Sequence, residues 1–243
     1  MKRLVLPMLV ALTIAVLANT SALAARATGE DWRLTKLNSI YEVGNITWGS
    51  WYSGGVQAGA FYVKVEDFVG KPGDPPQGAP NTVYYAWVYC IEAEAIASPD
   101  WYKKLTGQKP LPPDQSKPEI GDDNWARKVW LIQNYGWDSL SSPAKSAGMQ
   151  LAIWEVVSDD DFDLDNGVFK IQTGQFPQAR PYAEQYLNAV KNIDWTTVDI
   201  TKDICYTDGQ NLNEVPVIPE ASTLLLAFTG IGSIAGFRRL RKG

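Results

Sequence analysis

Three features of the sequence predict an α+β domain in which an antiparallel β-sheet or barrel portion packs against a small helical portion. Residues 32–69 and 81–96 alternate aromatic or branched side chains with small and polar ones, the period of half-buried strands. Residues 122–137, 143–157 and 179–193 place apolar side chains at helical spacing instead. A last β-prone run, "WTTVDITKDICYT", closes the pattern. Strands, then helices, then a strand is the order of an α+β fold, and no internal repeat is visible.

The elements follow in chain order. "NITWGSWYSGG" and "VQAGAFYVKVEDFV" read as strands broken by glycines. Gly70 to Pro80 forms a proline-glycine loop, and "NTVYYAWVYCIEAEAI" resumes the β pattern and carries Cys90. A second loop spans Gly107 to Pro118. The two loops hold eight of the fifteen prolines, which marks them as ordered surface excursions rather than domain linkers. The first helix sets Trp125, Val129 and Ile132 on one face, with Asp122 or Asp123 as its cap. The second runs from about Pro143 to Val157, with Ser142 as N-cap and Pro143 in its first turn. The third aligns Ala183, Tyr186, Leu187 and Val190.

Both ends of the 243-residue chain carry addressing grammar. Lys2 and Arg3 precede an apolar run from Leu4 to about Leu17, and Ala22-Leu23-Ala24 supplies a small-residue cleavage site: a secretory signal peptide over 1–24. At the other end Pro219 and Glu220 precede an apolar run of about fifteen residues, short for a bilayer span. Arg238, Arg239, Arg241 and Lys242 then close the chain. A basic cluster after an apolar segment marks the cytoplasmic side of a membrane. Residues 216–243 thereby resemble a PEP-CTERM sorting tail, departing from it in having Ala221 where the motif has its second proline. That resemblance implies an exosortase-type sorting protease as partner. It also implies a short transmembrane helix and a destination in the envelope, surface or extracellular matrix of an exopolysaccharide-making Gram-negative bacterium. The ectodomain is then 25–215.

Composition excludes much chemistry. Over residues 25–219 there are 22 − 6 = 16 basic and 27 − 1 = 26 acidic side chains, a net of −10, which argues against nucleic acid and anionic membrane surfaces as partners. The membrane is met only through the C-terminal helix. There is no histidine, which removes Ser-His-Asp and Cys-His catalysis and the usual zinc and non-haem iron sites. Cys90 and Cys205 are the only cysteines, and neither a P-loop nor a dinucleotide fingerprint is present, so no cofactor is expected. Asp161, Asp163 and Asp165 have the spacing of a calcium loop. The glycine is Gly167 rather than residue 166, however, and the twelfth position is Gln172, so the EF-hand pattern fails and a solvated acidic turn is expected with no metal.

Gln150 is the anomaly. It shares a helical face with Ala147, Ile153, Trp154 and Val157, where a carboxamide must find partners or cost a few kcal/mol. Tyr89-Cys90-Ile91-Glu92 on a β-prone run and Gln150-Leu151-Ala152-Ile153-Trp154-Glu155 on a helix together resemble the two signatures of the bacterial thioester domains of surface adhesins. The likeness runs from about Gly54 to Tyr206. It implies an internal thioester between the Cys90 sulfur and the Gln150 acyl group, walled by Trp87, Tyr89 and Trp154. The bond would capture an amine of a surface protein or matrix component, once per molecule, so that the protein acts as a covalent adhesin and not as an enzyme. A reaction of this kind needs no histidine, because holding both groups in contact replaces the external base.

Two plainer readings stand beside it. A Cys90–Cys205 disulfide in an exported chain would stabilise by about 4–5 kcal/mol through loop closure. It would also exclude the thioester, leaving a noncovalent matrix protein. The ten tryptophans and eleven tyrosines allow a carbohydrate-binding surface, provided some of them are exposed.

Overall fold

The computed structural model describes residues 31–50, 52–71, 76–91, 100–109, 120–207 and 211–216. The signal peptide and the sorting tail, with Pro219, Glu220, Arg238, Arg239 and Arg241, lie outside these residues. No helix among the described residues is long and apolar enough to cross a membrane.

Among the described residues the fold is mixed α+β, with an antiparallel sheet and three α-helices. Seven strands, β1 (Trp32–Trp48), β2 (Tyr52–Asp67), β3 (Thr82–Cys90), β4 (Asp100–Thr106), β5 (Phe169–Ile171), β6 (Ile204–Thr207) and β7 (Leu212–Glu214), join in the order β2-β3-β7-β6-β4-β1-β5. β1 also pairs with β2 along its length, so the ladder returns on itself and leaves β5 as a flap on the far end of β1. A register shift between Lys36 and Asn38 turns Leu37 out to solvent and lets the long β1 bend. Registered pairs show how the sheet faces are used. Phe61, Val63 and Val65 meet Val88, Ala86 and Tyr84 on the inner face, while Tyr62, Lys64 and Glu66 meet Trp87, Tyr85 and Val83 on the outer face.

Of the helices α1 (Asp122–Ser139), α2 (Pro143–Ser158) and α3 (Arg180–Val190), α2 packs against β1, β2 and β5, and α1 and α3 pack against α2. α2 is buried on every side, from Ser146 to Val157, and therefore has no polar face to show. Gly148 lets α3 approach it: a Cβ there would stand 2.7 Å from Tyr182 Cβ and 2.9 Å from the Ala179 carbonyl oxygen. α3 buries the four apolar residues at the expected spacing, Ala183, Tyr186, Leu187 and Val190.

Several expectations need correction. The N-cap of α1 is Gly121, without a side-chain bond, while Asp122 and Asp123 sit inside the first turn, where carboxylates oppose the positive helix end. Trp195–Thr197 is a 3-10 turn rather than strand. Asp194 accepts from the Thr196 amide at 3.1 Å and from its hydroxyl at 2.6 Å, which captures a β-branched stretch for a turn. Cys205 does lie on a strand, but a shorter one, β6.

Candidate functional site

Ser142 caps α2 by accepting from the Lys145 amide at 3.2 Å, and Pro143 opens the first turn, which fixes where the helix starts and hence where Gln150 falls. Two turns on, the Gln150 side chain is fully buried. Its carboxamide lies against the backbone of a single residue: the Cys90 amide donates to Gln150 Oε1 at 3.0 Å, and Gln150 Nε2 donates to the Cys90 carbonyl oxygen at 2.6 Å.

The origin of this clamp is a gap in the sheet. β2 pairs with β3 only as far as Phe61–Val88, so the next peptide groups of β3 on that side have no strand partner. In an antiparallel strand the N–H and C=O of one residue point the same way, and here the glutamine carboxamide supplies the missing donor and acceptor. Where β2 diverges, Gly59 takes φ +153 and the Ala60 amide donates to Ser146 Oγ at 2.9 Å, so two side chains of α2 stand in for one missing stretch of ladder. The thiol of Cys90 is borne on the Cα between the two clamped backbone atoms. Cys90 is 3% exposed.

Cys205 is also buried, and the two cysteines are not bonded to each other. The register explains why. Cys90 and Tyr206 both pair with Leu212, while Cys205 pairs with Asn213. Cys90 and Cys205 therefore stand two strands apart, on opposite faces of the sheet. Two ladder steps are roughly 9–10 Å, whereas a disulfide needs Cα atoms within about 7 Å and Cβ vectors that converge.

The three aromatics expected to wall the pocket divide. Trp154 is on the face of α2 that bears Gln150, one turn on, buried with Trp48 at 6.1 Å and Phe169 at 5.9 Å between ring centres. Tyr89 and Trp87 point to the sheet face opposite the Cys90 side chain. Tyr89 serves as an anchor instead: its hydroxyl lies 2.6 Å from Ser139 Oγ and 3.3 Å from Ser146 Oγ, and burial raises its pKa to about 12. This ties β3 to both α1 and α2. Trp87 packs at a tilt of 40° against Tyr62, 5.0 Å away on the outer face.

Two polar clusters escaped the sequence reading. Glu155, on the turn after Gln150, brings a carboxylate oxygen within 4.8 Å of those of Asp159 and Asp161. Burial, with the Asp159 charge second, pushes the Glu155 pKa up to about 9. The expected acidic turn is thus drawn partly inward, although Asp163 and Asp165 are engaged locally: Asp163 accepts from Asn166 and the Asp165 amide, and Asp165 pairs with Arg180. The second cluster is Lys128 with Asp203 and Asn213. Lys128 lies three residues after Trp125 and four before Ile132, on the stripe identified as apolar, and that position was the available signal.

Set beside known protein families, curated proteins and solved structures, the chain matches none.

Proposed function

We propose that this is an exported, exosortase-sorted surface or matrix protein whose Cys90 and Gln150 form an internal thioester that captures an amine covalently. The observation that carries this reading is the two-point clamp of the Gln150 carboxamide on the Cys90 backbone. The clamp holds nucleophile and electrophile together, a placement worth several kcal/mol over free encounter. It also directs the Cys90 amide at the oxygen on which negative charge develops as sulfur attacks.

The step balances without a cofactor. The Cys90 sulfur bonds to the Gln150 carbonyl carbon, the bond from that carbon to Nε2 breaks, and the thiol proton leaves with the nitrogen as ammonia. An incoming amine later forms an amide at the same carbon and returns the proton to the sulfur. Burial of both residues protects the acyl group from hydrolysis, and capture waits on local opening of the pocket. The signal peptide and the tail supply the address, with the exosortase-type protease acting at Pro219–Glu220.

Intact mass of the secreted ectodomain tests this. Compared with the mass calculated from its sequence, the wild type is expected to lack one ammonia more than either Cys90→Ala or Gln150→Ala does. The same deficit in the wild type and in both variants contradicts it.

A second reading has one observation in its favour. Tyr62, Tyr85 and Trp87 form a row on the outer sheet face, Tyr85 53% exposed and stacked on Tyr62 at 6.0 Å and 22°. Flat aromatic faces of this kind suit the apolar faces of sugar rings. Quenching of tryptophan fluorescence by matrix polysaccharide, lost in Trp87→Ala, is its expected signature. The disulfide-stapled version of a noncovalent protein has the sheet register against it.

A further inference from the structure

Lys128 is the one charged side chain of α1 buried without residual exposure. Its Nζ donates to Asn213 Oδ1 and to Asp203 Oδ2, the latter at 3.2 Å. Asn213 is equally buried, and its Nδ2 donates to Asp203 Oδ1 at 2.9 Å and to the Glu214 carbonyl oxygen at 3.2 Å. Asp203 is 7% exposed. One carboxyl group therefore touches an amine and the amide nitrogen of the carboxamide beside it. The Trp125 ring lies across the amine, its centre 3.2 Å from Nζ, and Ile91, Val129, Val157 and Cys205 complete an apolar surround.

We propose that Lys128 and Asn213 join in an intramolecular isopeptide bond, with Asp203 as the proton carrier, tying α1 to β7. The lysine and the asparagine are 85 positions apart in the chain, so the cross-link closes a long covalent loop around the helical layer. It balances as a condensation. The neutral amine of Lys128 attacks Cγ of Asn213 and a carbon–nitrogen bond forms to Nζ. Asp203 takes a proton from Nζ through one oxygen and delivers it to Nδ2 through the other. The bond from Cγ to Nδ2 then breaks and ammonia leaves. No oxidant, metal or second protein is required.

The environment favours the reactive form. Burial lowers the Lys128 pKa, against an opposing pull from Asp203, which favours the neutral, nucleophilic amine. The contact pre-places the nucleophile against the carboxamide, and the indole over Nζ keeps competing water away. The cross-link has a structural purpose too. β7 is only three residues long, yet it stands between β3 and β6, and in register it sets Asn213 between Tyr89 and Cys205. Fixing β7 fixes the neighbour of Cys90.

Peptide mapping of the secreted wild-type protein decides the matter without depending on how variants fold. A branched peptide is expected, joining the segment with Lys128 to the segment with Asn213, lighter than the two linear peptides by one ammonia. Quantitative recovery of linear peptides with unmodified Lys128 and Asn213 overturns the proposal and leaves an ordinary buried ion pair. In Asp203→Asn the branch is expected to be lost; its full retention removes Asp203 from the mechanism. Cys90→Ala is expected to keep the branch, so the isopeptide bond and the thioester stand or fall separately.

Discussion

Two helices each bury one polar side chain against the sheet, and they do so in opposite ways. On α2, Gln150 offers a carboxamide to the backbone of Cys90. On α1, Lys128 offers an amine to the side chains of Asn213 and Asp203. In the proposed thioester the electrophile comes from the helix and the nucleophile from the strand; in the proposed isopeptide bond the roles are exchanged. The difference teaches where each interaction draws its stability: Gln150 completes a β-ladder and needs no charge to do so, whereas Lys128 enters a dry interior beside the Asp203 carboxylate and, in the proposed cross-link, is then held to Asn213 covalently.

That contrast can be broken by substitution, and the largest effect belongs to α1. Lys128→Ala strips the buried Asp203 carboxylate of its partner, a loss of about 3–5 kcal/mol for the ion pair alone, and removes the proposed cross-link as well. It would be read as a large fall in melting temperature; a change within about 0.5 kcal/mol, the range of surface substitutions, would show that the ion pair carries little.

At the α2 site the two partners are chemically equivalent but structurally unequal. Gln150→Ala strands the N–H and C=O of Cys90 in a dry interior, at about 1–3 kcal/mol for each unsatisfied group. Cys90→Ala keeps both hydrogen bonds, since they involve backbone atoms, and removes the buried sulfur with the thioester it is proposed to form, a loss that Gln150→Ala shares. Denaturant unfolding should therefore show Gln150→Ala as the clearly weaker protein. Equal losses would mean that the carboxamide clamp contributes nothing beyond the thiol.

The smallest effect is a pH slope one turn further along α2. Glu155 has its folded pKa raised to about 9 from an ordinary 4.5. A raised carboxyl pKa favours folding while the group stays protonated, so this contribution is full below about 4.5 and fades as pH rises toward about 9. Glu155→Gln, which cannot ionise, should raise the melting temperature relative to wild type at pH 8 and not at pH 4.5. A difference that is constant across pH would place the charge of Glu155 elsewhere.

What the sequence disclosed follows from where periodicity exists. The long strands β1 and β2, the start of α2 and the buried face of α3 were legible because alternation, a Ser-Pro start and helical spacing each repeat over enough residues. β5 and β7 span three residues each, too short to show a period, and β4 hides its alternation behind Lys103 and Lys104. Gln150 stood out as a polar residue on an apolar stripe. Lys128 sits on such a stripe too and was passed over, because a lysine's long apolar stem makes its presence on a helix unremarkable. Its partners Asp203 and Asn213 lie in a loop and in one of the three-residue strands, where only the fold could bring them together.

The most direct test of the central claim is amine trapping at a named residue. Native ectodomain would be incubated with methylamine, quenched, denatured, alkylated and mapped. The thioester account predicts a methylamide on Gln150 and an alkylated Cys90 in the treated wild type, with neither the methylamide in Cys90→Ala nor an alkylatable Cys90 in untreated protein denatured under acid. Recovery of unmodified Gln150 alongside a Cys90 thiol that alkylates equally with and without amine would contradict it.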